Sequence, residues 1–133
     1  MTFRYQEINP QIIRPIIPVI IKSEKVVIFY FALIDSGADH CIFDLSIAKK
    51  LDLKLDFKNK VKFIGINKKQ IVGFWGEVDL RIGDKTYTTK VIFSKLSDFD
   101  HVILGQLGFF DHFDVKLSYQ EQIIEIEPVK LTN

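Results

Sequence analysis

The chain has 133 residues, 47% of them apolar and 12 of them Phe, and its 18 basic and 17 acidic side chains leave a net charge of +1. This argues for a folded chain, since disordered chains lack the branched and aromatic side chains that offset ordering entropy, and it gives no electrostatic footprint for nucleic acid, so no nucleic-acid partner is expected. A lone Cys41 rules out an intrachain disulfide and fits a reducing, cytoplasmic setting; no apolar signal core opens the chain and no apolar run nears the ~20 residues of a membrane helix, so no membrane partner is expected.

The length suits one domain over residues 1–133, with 1–13 read as a flexible N-terminal segment. Residues 14–22 (RPIIPVIIK) are dense in β-branched side chains, and their two prolines suit an edge strand. A polar break at Ser23, Glu24 and Lys25 leads into 26–34 (VVIFYFALI), which has the content of a strand buried on both faces, so the two runs read as a hairpin. Residues 44–53 (DLSIAKKLDL) set Leu45, Ala48 and Leu51 at helical spacing behind a capping acid, which predicts one short helix. Residues 61–74 read as a mobile hairpin around Asn67, Lys68 and Lys69, with Gly65 and Gly73 at its shoulders. Strands are predicted at 76–82 and 87–93 about a Gly83-Asp84-Lys85 turn, a further apolar run at 102–104 ends in Gly105, a turn of helix falls in 109–115, and a last strand covers 122–127. The patterning is that of an all-β barrel or sandwich with one modest helix.

The longest apolar run ends in Asp35-Ser36-Gly37. An isolated triplet of this kind is ordinarily a turn, with the acid capping it and the glycine taking a positive φ. Here the acid follows a continuous apolar strand and is followed by Ala38, Asp39 and then Ile42-Phe43, which re-enter the core, so a carboxylate stands where desolvation is costly. The run from Ala32 to Phe43 resembles the active-site loop of retropepsin-like aspartic proteases, and Val102-Ile103-Leu104-Gly105 followed by 106–113 is similar to that family's second signature, an apolar-apolar-Gly strand and a short helix. The resemblance spans about residues 15–127 and suggests a single-domain member of bacterial type.

What the resemblance implies is a small closed barrel-like acid-protease fold with one short helix near the C-terminal end and a flap hairpin. It implies Asp35, Ser36 and Gly37 as the catalytic triplet, with Ser36 bracing a second copy's loop. Ala38, Asp39 and the flap residues Phe63, Ile64, Gly65 and Ile66 would contact substrate. Such hydrolysis needs two carboxylates sharing a proton, and the chain has one Asp-Ser-Gly, so the expected partners are a second copy in a homodimer and a peptide or protein substrate, with no cofactor. The alternative is a catalytically inactive module of the same fold that binds peptide or protein. Two departures from the family stand out: Cys41 occupies a position where Ser or Thr is frequent, and the flap tip is charged. His40, His101 and His112 match no metal-ligand spacing, so no metal is expected, and Cys41, Trp75 and the Phe pairs read as packing.

Overall fold

The computed structural model describes residues 1–64, 69–96 and 101–130. In chain order its elements are β1 (Thr2–Arg4), β2 (Gln6–Asn9), β3 (Ile12–Arg14), β4 (Ile16–Lys22), β5 (Val27–Ile34), β6 (Ile42–Asp44), α1 (Leu45–Lys50), β7 (Lys60–Ile64), β8 (Gln70–Ile82), β9 (Lys85–Ser94), β10 (Val102–Leu104), β11 (Phe113–Ser118) and β12 (Ile123–Pro128). The fold is all-β with one short helix, as the patterning implied.

Seven strands form the main sheet in the order β4-β5-β10-β6-β9-β8-β7, and a further pairing of β4 with β8 closes six of them into a ring. Closure removes most free edges, and only β7 hangs outside it. The ring encloses Ile17, Val19, Ile21, Ala32, Ile34, Phe43, Val78, Leu80, Ile82, Val91, Phe93 and Leu104, all buried. Burying each of the larger side chains contributes roughly 1.5–3 kcal/mol. Helix α1 adds Ile47, Ala48 and Leu51 to this cluster, and the small β1-β12-β11 sheet adds Phe113, Ile124 and Ile126.

Strand β4 is only half an edge. It pairs with β5 along its whole length, whereas β8 reaches only Ile20–Lys22, so Pro18, which has no N–H to offer, lies where the described residues supply no second neighbouring strand. Strand β5 is not buried on both faces. Ala32 and Ile34 point inward, but Val27, Phe29 and Phe31 on the alternate face are 60%, 58% and 53% exposed. The composition of a fully buried strand came instead from an outward apolar stripe, with Phe29 and Phe31 in edge-to-face contact.

Three further differences follow from tertiary pairing. Where a flexible segment 1–13 is expected, β1 pairs with β12 and β2 with β3; Phe3 and Tyr5 pack on the core, and Tyr5 meets Tyr119 edge to face. The second arm of the hairpin expected over 61–74 and the strand expected at 76–82 are one continuous β8, held by ten register pairs with β9. Finally, 106–112 form successive turns in place of a helix near the C-terminal end, although the Phe113 N–H still reaches the Phe109 carbonyl at 3.1 Å, one helical turn. The helix lies at Leu45–Lys50, where Asp44 caps it and Leu51 ends it.

Candidate active site

Strand β5 brings the chain to Asp35 between two neighbours. The Ile34 N–H donates to the Pro15 carbonyl and the Asp35 N–H to the Leu104 carbonyl, both at 3.0 Å. Because β5 runs parallel to β10, the loop after Asp35 must cross the end of β10 before the chain returns as β6 on its other side. Residues 35–41 make that crossing.

The crossing loop is strapped to 104–107 by backbone bonds. Gln106 N–H donates to the Ala38 carbonyl at 2.8 Å, Leu107 N–H to Asp39 at 2.9 Å and Cys41 N–H to Leu107 at 3.2 Å. Gly105 is the seat. A Cβ there would lie 2.3 Å from the His40 carbonyl oxygen and 2.6 Å from that of Ala38, so a hydrogen is the only substituent that fits. Below the loop, Cys41 is buried and its Sγ accepts from the Gly105 N–H at 3.4 Å. Burial pushes the thiol up to about 12, partly countered by that N–H. Cys41 therefore serves the loop as a neutral packing group and not as a nucleophile.

Within the loop, Asp35 is half-buried and its Oδ1 accepts the Gly37 N–H at 2.9 Å, while the Ala38 N–H donates to the Asp35 carbonyl at 3.2 Å. Ser36, Gly37 and Asp39 are exposed, and Ala38 is half-buried. These five residues thus form one local unit around the Asp35 carboxylate. Phe63 and Ile64 stand apart from them on β7: Phe63 packs near Gly73 of β8, and Ile64 is 77% exposed. Gly65 and Ile66 lie outside the described residues. A ring contact links the two regions, since His40 meets Trp75 of β8 edge to face at 5.2 Å.

A cavity of about 270 Å³ is lined by Gln6, Glu7 and Ile8 of β2 with Ile16, Phe31, Leu33, His101 and Val102. Leu33 precedes Asp35 by two residues on the same face of β5. A larger concavity of about 650 Å³ lies at the far end of β5, around Lys22–Lys25 and Asp52–Lys54; its walls carry charges of both signs and no part of the carboxylate loop. The smaller one is tied to the acid only through Leu33, since it too is lined by no residue of 35–41.

Two contributors escaped the sequence reading. Gln106 donates from Nε2 to the Ser36 carbonyl at 2.7 Å, and His40 makes the contact with Trp75. Both partners are distant in sequence, and no local pattern signals either contact.

A ring of strands crossed by an acid-bearing loop is the architecture of retropepsin-type proteins. Three solved structures are similar to this chain: a retropepsin-like aspartic protease from Rickettsia conorii (TM-score 0.60, 17% identity, covering 96% of this chain and 98% of that one), EIAV protease complexed with the inhibitor HBY-793 (0.56, 18%, 76% and 88%), and the retroviral protease-like domain of Ddi1 from Leishmania major (0.57, 13%, 86% and 90%). No curated protein matches the chain in sequence. The sequence profile of the aspartyl protease family matches residues 18–106, and the chain belongs to that family.

Proposed function

We propose that the chain is an aspartic endopeptidase whose catalytic pair is Asp35 from each of two copies in a homodimer. The observation that supports this most is the half-buried Asp35 carboxylate, fixed by the Gly37 N–H in a loop strapped to 104–107, in a chain of this family that carries one such loop.

Two carboxylates about 3 Å apart cannot both ionise readily, so the pair holds one proton across a useful pH range. The ionised member accepts a proton from water as its oxygen attacks the peptide carbonyl carbon, and the protonated member donates to the carbonyl oxygen. Collapse of the tetrahedral species breaks the C–N bond: the amine leaves with the proton taken from water, and one hydroxyl of the diol returns its proton to the other carboxylate, which restores the pair. Gly37 lets substrate backbone approach the acid, Ala38 and Asp39 border the bound peptide, and the exposed Ser36 braces the neighbouring copy's loop. The hairpin of β7 and β8, with Phe63, Ile64, Gly65 and Ile66, acts as a flap that closes over substrate and excludes water. The apolar walls of the cavity at Leu33, Phe31 and Ile16 suit an apolar substrate side chain.

The test is Asp35→Asn. Expected are a dimer of wild-type mass by light scattering, loss of cleavage of a peptide library, and loss of tight binding by a pepstatin-type analogue, which needs the assembled pair. A variant that cleaves at the wild-type rate refutes the assignment. A wild-type chain that binds peptide without cleaving it marks the inactive-module alternative.

A further inference from the structure

The peptide unit joining Ser36 to Gly37 is held at both ends. Its N–H donates to Asp35 Oδ1 at 2.9 Å, and its carbonyl accepts from Gln106 Nε2 at 2.7 Å. We propose that Gln106 is a positioning residue for the Asp35 carboxylate and acts through this one peptide plane. The inference rests on the reading of Asp35 as the catalytic acid.

Three physical steps carry it. First, a peptide unit is planar, so fixing the direction of its C=O fixes the direction of its N–H. Second, little else sets the direction of the plane: the Ala38 N–H to Asp35 carbonyl bond closes a turn around it, but such a turn admits either direction of its central peptide, Gly37 lacks the Cβ that restricts rotation at most residues, and Ser36 and Gly37 are both exposed. Third, donation into the carbonyl polarises the amide and strengthens the N–H as a donor, so the Gln106 amide and the Asp35 carboxylate reinforce one another through the shared unit. Gln106 works from a fixed base, because its own N–H is bound to the Ala38 carbonyl and the next residue's N–H to Asp39. It thus grips the loop on both sides of Gly37, by side chain at Ser36 and by backbone at Ala38.

The experiment compares Gln106→Leu and Gln106→Glu with the wild-type chain. Gln106 is exposed, so neither change disturbs the core. In the Leu variant the Gly37 amide proton resonance moves upfield and exchanges faster with solvent, kcat falls about tenfold and KM stays within about twofold, as expected when one transition-state-supporting hydrogen bond is lost. The Glu variant behaves like Leu when ionised. Below about pH 4 its protonated carboxyl donates again, and both the Gly37 resonance and the kcat ratio to wild type recover. A Gly37 resonance unchanged in the Leu variant overturns the proposal, as does wild-type kcat. If the wild-type chain has no peptidase activity, the reading of Asp35 fails by itself, and the Gly37 resonance still decides whether Gln106 orients the peptide.

Discussion

Gly105→Ala probes the seat of the carboxylate loop. The new methyl would stand 2.3 Å from the His40 carbonyl oxygen and 2.6 Å from the Ala38 oxygen, where ordinary contact begins near 3.4 Å, so the loop must rise by about 1 Å. Both obstacles are backbone, and no rotamer change relieves them. Overpacking of this kind costs about 1–3 kcal/mol. The Gln106 N–H to Ala38 and Leu107 N–H to Asp39 bonds span the same gap, and stretching both adds about 1 kcal/mol each, for a total of about 3–5 kcal/mol. With an unfolding entropy of about 2.1 cal/mol/K per residue over 133 residues, Tm falls by roughly 10–18 °C. The assay is thermal unfolding by circular dichroism at one protein concentration, since the proposed dimer would make Tm depend on concentration. Gly83→Ala is the control: Gly83 sits at φ +60°, but the atom in the way is the flexible Met1 Sδ, so only the left-handed backbone strain of about 1 kcal/mol remains. A Gly105→Ala protein that melts within about 3 °C of wild type refutes the steric argument.

Asp44→Ala removes the α1 cap and a tether to the distant chain, because the carboxylate accepts the Ser46 N–H and hydroxyl and the Leu96 N–H; urea titration is expected to show a loss of about 1–2 kcal/mol. Burial raises the Asp44 pKa, but hydrogen bonds from Ser46 and Leu96 outweigh it and hold the carboxyl below its usual 3.8, so this contribution is present above pH 4 and fades as pH falls through the lowered value. At the alkaline end, burial pushes the Cys41 thiol up to about 12 and the Tyr87 hydroxyl above its usual 10.0. The unfolded chain ionises first, so stability is full below about pH 9 and then falls by up to about 1.4 kcal/mol per pH unit for each group; Cys41→Ala flattens the slope in urea titrations from pH 8 to 11. Cys41 in the folded chain is expected to resist iodoacetamide at pH 8, with labelling that appears only in denaturant.

The elements legible in sequence were those whose signal is local. The β4–β5 hairpin, the capped helix after Asp44 and the β8–β9 alternation each declare themselves within a dozen residues. Strand β1 has three residues and owes its existence to β12, whose Glu125 pairs with Thr2; no pattern within residues 1–13 carries that information. The double burial expected of β5 failed for a related reason. A run of apolar residues looks the same whether its second face is covered or bare, and only the placement of neighbouring strands decides. At the candidate site, the acid and the apolar-apolar-Gly run were readable as motifs, while the reason for the glycine, two carbonyls of a loop 65 and 67 residues earlier, needed the fold.

Strand parity ties the fold to the chemistry. Side chains alternate along β5, so the inward Ala32 and Ile34 fix Leu33 and Asp35 on the outward face. The pairing of Ile34 with Leu104 and of Leu33 with Ile16 sets that register from both sides. A slip of one residue would turn Ile34 outward and drive the carboxylate into the ring, where an unpaired charge is costly. The same apolar contacts that stabilise the ring therefore decide which way the acid faces. Because the acid faces outward, a second carboxylate can meet it only from another molecule or from a chain segment lying over the ring. Among the described residues the ring carries one Asp-Ser-Gly loop, and that is the ground on which the proposed function takes its second carboxylate from another copy.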